Sequence, residues 1–426
     1  MGNAAEHSGR GNSATGLVCC AVATVSYLPR ARVAAESWRQ HVPDSPFVLL
    51  LIDGQDWPHE SEPFQVVLPE ELGLTPEELQ TQMAIYNAFE LSCALKPHFF
   101  RMLLERGASA IVFTDTDTFF YAPVTDLAEA AATSGLALIP HAARPPAPER
   151  SYLPLAHVEY RVFVGGLFNL GFIAVGRGGE AFLDWWGARL ARDCLTEPAA
   201  GMYVDERWVD WAPVYFDHVV VRDSSLNVAF WNLDERELSE LDGRPMVDGA
   251  PLRHFHFAGF DPAQPGRLSK YLDAAWPPPA ANPALTRLLQ EYAERLLESG
   301  STELRERPYR YGTSVDGRTL GLRERAIYRE AVLAAEARDV EPPPNPLDPS
   351  RVDDFTRLVD DPRSLDLLSE PARTRLEQVR PSGASRSSLG RLSRRLAPAA
   401  RYALVGTHPP ALDTLRIESE VVRREY

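Results

Sequence analysis

The chain has 426 residues, a 45% apolar share and a formal net charge of −15. That length and composition support a sizeable core, in one large domain with appendages or in two or three domains. The acidic balance, with no long basic stretch in the first 380 residues, excludes nucleic acid as a partner, and no apolar run approaches the roughly 18 residues of a membrane-crossing helix.

In chain order, MGNAAEHSGRGNSATG is small and polar and lacks the apolar core of a secretion signal. It starts like a myristoylation signal, but Glu6 stands where Ser or Thr is expected, so residues 1–16 are expected to be a disordered leader. LVCCAVATV (17–25) and FVLLLID (47–53) read as fully buried strands, with the helix PRARVAAESWRQHV between them. FQVVL (64–68) offers a third strand, and 75–107 reads as two helices broken near Lys96-Pro97. AIVFTD follows, then LALIP (136–140), NLGFIAVG (169–176), a helix over 180–193 and a strand near 218–223. Strands alternating with helices predict an α/β fold with a mixed sheet. Cys19, Cys20, Cys93 and Cys194 lack zinc-type spacing and are expected to be reduced packing residues in a cytoplasmic protein.

WPPPAANP and EPPPNPLDPS punctuate the C-terminal third, with an amphipathic helix over 284–299 between them. Residues 383–403 carry five arginines and no acid, a pattern of either a solvated tail or a segment held at an anionic membrane surface.

The stretch IVFTDTDTFF sets Asp115 and Asp117 at the end of a buried strand, where ligands collect in α/β sheets. Carboxylates there are costly unless paired or bound to metal. Three readings follow: turn caps, a haloacid-dehalogenase-like phosphatase with Asp115 as nucleophile, or a divalent-metal site. The phosphatase pattern wants Thr or Val two residues past the second Asp, where this chain has Phe119. The metal reading needs a third ligand, and LRHFHFAGFDP supplies His254 and His256 on one face of a strand.

The ordered set ALKPHFFRMLLERG, IVFTDTDTFF, FNLGFIAVG, YVDERWVDWAPVYF, LNVAFWN and RHFHFAGFDP resembles metal-dependent glycosyltransferases of the GT-A fold, above all the retaining galactosyltransferase and glycogenin group, glycosyltransferase family 8. The resemblance spans residues 17–275. It implies a GT-A (Rossmann-like) domain over 17–276, a mostly helical extension over 277–382 and a basic tail over 383–426. The expected reaction moves a sugar from a nucleotide-sugar donor, a UDP-sugar first, to a hydroxyl of a glycan, lipid-linked or small acceptor, with retention and with Mn²⁺ or Mg²⁺. High Ala, Arg and Pro content hints at a bacterial source and hence at polysaccharide biosynthesis.

By the same resemblance Asp115, Asp117 and His256 hold the metal, with Thr116 and Gly259 beside the donor. Pro262 stands where the family has a diphosphate-gripping lysine, and Lys270 is the candidate substitute. Asn169 faces the sugars, Asp205 is the donor-sugar ligand, and Glu206, where the family has Gln, is its rival on the catalytic face. Ala23, Thr24 and Tyr27 are expected at the uridine, with Asp53 bonding the base. Lys96 and Arg101 are expected at the diphosphate, though Arg101 has an i+4 partner in Glu105. A non-catalytic partner protein that keeps the nucleotide pocket is the remaining alternative.

Overall fold

A computed structural model describes residues 16–145, 158–272 and 282–379. The leader, the WPPPAANP junction up to residue 281 and the basic segment 383–403 lie outside these residues.

The N-terminal half runs β1 (Leu17–Ala23), α1 (Leu28–His41), β2 (Phe47–Leu51), β3 (Gln65–Val67), α2 (Pro76–Ile85), α3 (Ala88–Ala94), α4 (Lys96–Glu105), β4 (Ala110–Thr114), β5 (Thr118–Phe120), α5 (Thr125–Ser134), β6 (Leu136–Pro140), α6 (Val158–Gly165), β7 (Phe168–Gly176) and α7 (Glu180–Asp193). Next come the two-residue strands β8 (Thr196–Glu197) and β9 (Met202–Tyr203), then α8 (Glu206–Val209), α9 (Ala212–Tyr215), β10 (Val219–Val220) and β11 (Val228–Ala229). They are followed by β12 (Leu238–Leu241), β13 (Arg244–Val247), β14 (Ala250–Pro251) and β15 (His254–His256). The C-terminal helices are α10 (Pro283–Glu298), α11 (Ser301–Leu304), α12 (Leu322–Glu336), α13 (Val352–Asp360) and α14 (Glu370–Val379).

Seven strands form a mixed sheet in the order β10-β6-β7-β4-β1-β2-β3, with β7 antiparallel to both β4 and β6. This is the α/β architecture predicted from the alternation of strands and helices. Its central strands are apolar on both faces because both are covered. Cys19, Ala21, Leu49 and Val112 face α1 and α5, while Cys20, Val22, Leu50 and Phe113 face α2–α4 and α7. All four cysteines are buried free thiols.

Three local expectations need correction. The region 75–107 holds three helices rather than two: Asn87 Oδ1 accepts from Glu90 N (2.9 Å), starting a new helix at Ala88, and Pro97 opens the next. The strand near 218–223 is reduced to Val219–Val220. The end of the proline-rich loop 141–162 belongs to α6.

The extension is welded to the sheet domain. Asn282 caps α10, which packs on α1, while α12 lies against α2. Arg325 of α12 is buried, and its guanidinium donates to the carbonyls of Met83, Ala84 and Tyr86 at the carboxyl end of α2 and to those of Tyr311 and Leu320. Arg325→Met strands these carbonyls, and we expect a stability loss of about 3–5 kcal/mol in urea unfolding. A loss under about 1 kcal/mol would show that α12 is a loose appendage.

Candidate active site

The site lies where the carboxyl end of β4 meets a small sheet, β11-β15-β5. Asp115 N donates to Gly171 O of β7 (2.7 Å), and Thr118 Oγ1 closes the turn by donating to Asp115 O (2.8 Å). β15 pairs with β5 so that His256 stands opposite Thr118, and Phe257 N donates to Asp117 O (2.7 Å). This register brings His256 Nε2 to 3.1 Å from Asp117 Oδ1 and 3.8 Å from Asp115 Oδ2. One ligand atom from each of Asp115, Asp117 and His256 lies within 4.8 Å of the others. Ligands of one octahedral Mg²⁺-sized ion sit about 3–4 Å apart, and two carboxylates with an imidazole suit a hard-to-borderline divalent cation. The residues therefore fit Mn²⁺ or Mg²⁺.

Gly171 is the fitting condition. A Cβ there would come within 2.5 Å of Asp115 Oδ2 and 2.6 Å of His256 Cε1. Gly259, at φ +70°, turns the chain after His256, and a Cβ there would strike the Tyr271 ring at 2.6 Å.

Electrostatics divide the two aspartates. Burial pushes both upward; for Asp117 the charge and hydrogen bond of His256 outweigh it and hold the carboxyl below its ordinary range. Asp115 stays raised by burial despite the pull of Lys96 and His256. His256 is raised, because Asp117 and then Asp115 outweigh its burial. His254, the other histidine on this face, is a packing residue. It stacks on Phe172 with centroids 3.9 Å apart, meets Thr114 Oγ1 at 3.1 Å, and is kept neutral by burial.

A second charged layer lies beneath. Lys96 Nζ is 2.9 Å from Asp205 Oδ2, 3.1 Å from Leu170 O and 3.9 Å from Asp115 Oδ1, above the Phe113 ring. Lys96, expected at the diphosphate, is held in a buried ion pair with Asp205 and stands beside Asp115. Arg101 does not join it. Five residues along α4 it is turned onto another face, where it pairs with Glu105 and Asp184 in solvent, so its assignment to the diphosphate is withdrawn.

Glu206 Oε1 accepts from Asn169 Nδ2 (2.9 Å) and Leu170 N (3.1 Å). Burial first, then the neighbouring Asp205, pushes its carboxyl well above the ordinary range. His141 sits beside it: Nδ1 donates to Gly166 O (2.9 Å), so Nε2 is the acceptor facing Asn169 Nδ2 (3.3 Å), and burial lowers the ring to about 4. Asn227 Nδ2 donates to Asn169 Oδ1 (3.1 Å), and the Trp231 ring stands edge-on to both His141 and His256. Sequence reasoning did not single out His141, Asn227 or Trp231. His141 directly follows a strand at its carboxyl end, a signal that was available.

A folded carboxyl raised above its unfolded value holds its proton while the unfolded chain has lost it. Stability therefore falls as pH rises from about 4.5 through the folded value. Glu206→Gln keeps an acceptor for Asn169 and Leu170 but has no proton to lose. Its gain in melting temperature over the parent is expected to be larger at pH 8 than at pH 5, and equal gains at both would contradict the assignment.

Among the residues expected at the nucleotide, Ala23 ends β1 and Thr24 Oγ1 meets Ser26 Oγ at 2.9 Å. Asp53 Oδ1 accepts from Val25 N (2.8 Å), so one oxygen of Asp53 is spent on bracing the β1–α1 turn. Tyr27 is partly exposed with the Arg30 guanidinium 4.8 Å from its ring centroid. Thr116 is buried between the two aspartates. Lys270 N donates to Gly259 O (2.9 Å), and its Nζ lies 5.2 Å from the Tyr271 ring centroid.

No family profile matches the chain. It is 25% identical over 253 residues to the uncharacterized Bacillus subtilis protein YfnF, covering 57% of this chain and 80% of that one. It is 31% identical over 180 residues to the uncharacterized YfnD of the same organism, 40% of this chain and 54% of that one, so it spans about half the length of that relative. Among solved structures it is similar to the galactosyltransferase LgtC in complex with donor and acceptor sugar analogs (TM-score 0.37, 13% identity, 66% of this chain and 95% of that one). It is also similar to the apo form of the glycosyltransferase GlyE of Streptococcus pneumoniae TIGR4 (TM-score 0.36, 14% identity, 67% and 64%).

Proposed function

We propose that this chain is a metal-dependent glycosyltransferase of the GT-A type that moves a sugar from a nucleotide diphosphate donor, a UDP-sugar first, to an acceptor hydroxyl. The observation that carries the reading is the Asp115–Asp117–His256 group within 4.8 Å at the end of β4. Asp115, Asp117 and His256 would hold Mn²⁺ or Mg²⁺, whose charge stabilises a departing diphosphate. Lys96 adds positive charge beside Asp115 and fixes Asp205 through their buried ion pair. Asn169, held from both sides by Glu206 and Asn227, orients sugar hydroxyls.

Asp205 is held in its ion pair with Lys96, and Glu206 is buried and bonded to Asn169 and Leu170 N, so neither stands free as the general base that inversion requires. That favours attack by the acceptor on the face from which the diphosphate leaves, and hence retention. The phosphatase alternative suffers because the Asp117 carboxylate already engages His256, and Phe119 is a buried rung of the small sheet. A panel of nucleotide sugars tests the reading. Release of nucleoside diphosphate from one of them should require Mn²⁺ or Mg²⁺ and stop in EDTA. Release of inorganic phosphate, or turnover unaffected by EDTA, would sink it.

A further inference from the structure

We infer that Arg30, in the first turn of α1, is the cation that binds the donor's diphosphate in this chain. The inference rests on the proposed function and names a residue that neither the motifs nor the family resemblance pointed to.

A nucleoside diphosphate carries more negative charge than one divalent ion cancels, and its oxygens are usually met by a lysine, an arginine or backbone N–H groups. The basic residues considered from sequence are engaged otherwise. Lys96 is fixed by Asp205 and Leu170 O, Arg101 lies in surface ion pairs, Lys270 lies against the Tyr271 ring, and Pro262 supplies no charge.

Arg30 differs from these in three ways. Its Nη2 donates to Phe260 O (3.0 Å), so helix α1 reaches across to the turn that follows His256 and Gly259. Its guanidinium plane is steadied by Tyr27, the aromatic expected to stack on the base. Among the described residues no carboxylate pairs with it within 4 Å, although the charges of Asp117 and Asp261 act on it. An arginine has five donors in a rigid fork suited to phosphate oxygens, and Arg30 spends one on Phe260. It is half-buried, which leaves part of its side chain accessible while water is partly excluded. Tyr27 and Arg30 lie one helical turn apart, which would set base and diphosphate subsites on one short stretch of α1 and its approach.

The test is calorimetric, on the full chain, with UDP in the presence of Mn²⁺ and with Mn²⁺ alone. Arg30→Met is expected to weaken UDP binding tenfold or more. The same change should leave Mn²⁺ binding unchanged or tighter, because a positive charge acting on Asp117 is gone. Arg30→Lys should recover part of the UDP affinity. UDP affinity within twofold of the parent in Arg30→Met overturns the inference. So does a parallel loss of Mn²⁺ affinity, since Arg30 would then merely brace the loop that carries His256. A parent protein that binds no UDP with Mn²⁺ present overturns the proposed function first, and this inference with it.

Discussion

Asp117→Asn is expected to lower the affinity for Mn²⁺ by about 100-fold or more, with no loss of fold. The reasoning starts from the pair it forms. Asp117 is the carboxylate held in its charged form by His256, 3.1 Å away, and is the better anionic ligand of the two aspartates. Even outer partners of metal ligands cost roughly 10–100-fold when removed, so loss of a direct anionic ligand should exceed that range. The fold survives because Asn is isosteric, the Asp117 carbonyl still accepts from Phe257 N, and His256 loses its charge partner but can stay neutral. Electron paramagnetic resonance of Mn²⁺, with circular dichroism as the control for folding, reads both halves. Parent-like Mn²⁺ affinity in a folded Asp117→Asn protein would remove Asp117 from the ligand set.

Lys96→Met should lower stability by about 3–5 kcal/mol at neutral pH. Its side chain lies at 5% exposure against Asp205 at 2%. Burial alone disfavours the charged lysine, yet Asp205 together with Cys93 and Asp115 more than offsets it and leaves Lys96 raised. Taking away one member of such a pair leaves the other charge buried and uncompensated. Asp205 on the lysine variant background should therefore be better replaced by Asn than kept, so Lys96→Met/Asp205→Asn is expected to be more stable than Lys96→Met. Denaturant unfolding measures this directly. A single-variant loss below about 1 kcal/mol would mean that water reaches Asp205 and the pair is not a buried one.

Much of this architecture was legible because strands buried on both faces are apolar throughout, as in LVCCAVATV and FVLLLID, and because Asp115 and Asp117 interrupt such a strand's end. The same-face alternation of β15 offered both His254 and His256, and the family resemblance singled out His256. The break before Ala88 was missed since Tyr86-Asn87 contains neither Gly nor Pro, and the capping role of Asn87 depends on Glu90 returning to it. Arg101 was misplaced because helical spacing alone does not say which face meets the ligand. Arg30, His141, Asn227 and Trp231 owe their positions to long-range pairing: Arg30 meets Phe260, 230 residues away, and no local pattern encodes that contact. The buried Lys96–Asp205 pair spans 109 residues and was equally invisible as a pair, although each member stood out separately.

The central claim is that Asp115, Asp117 and His256 form a metal site that serves a nucleotide diphosphate. Calorimetric titration of UDP into the parent protein, with and without Mn²⁺, tests it most directly. The account predicts saturable binding with Mn²⁺ that weakens by at least tenfold in EDTA. UDP and the other nucleoside diphosphates failing to bind in either condition, or UDP binding equally well in both, would contradict it.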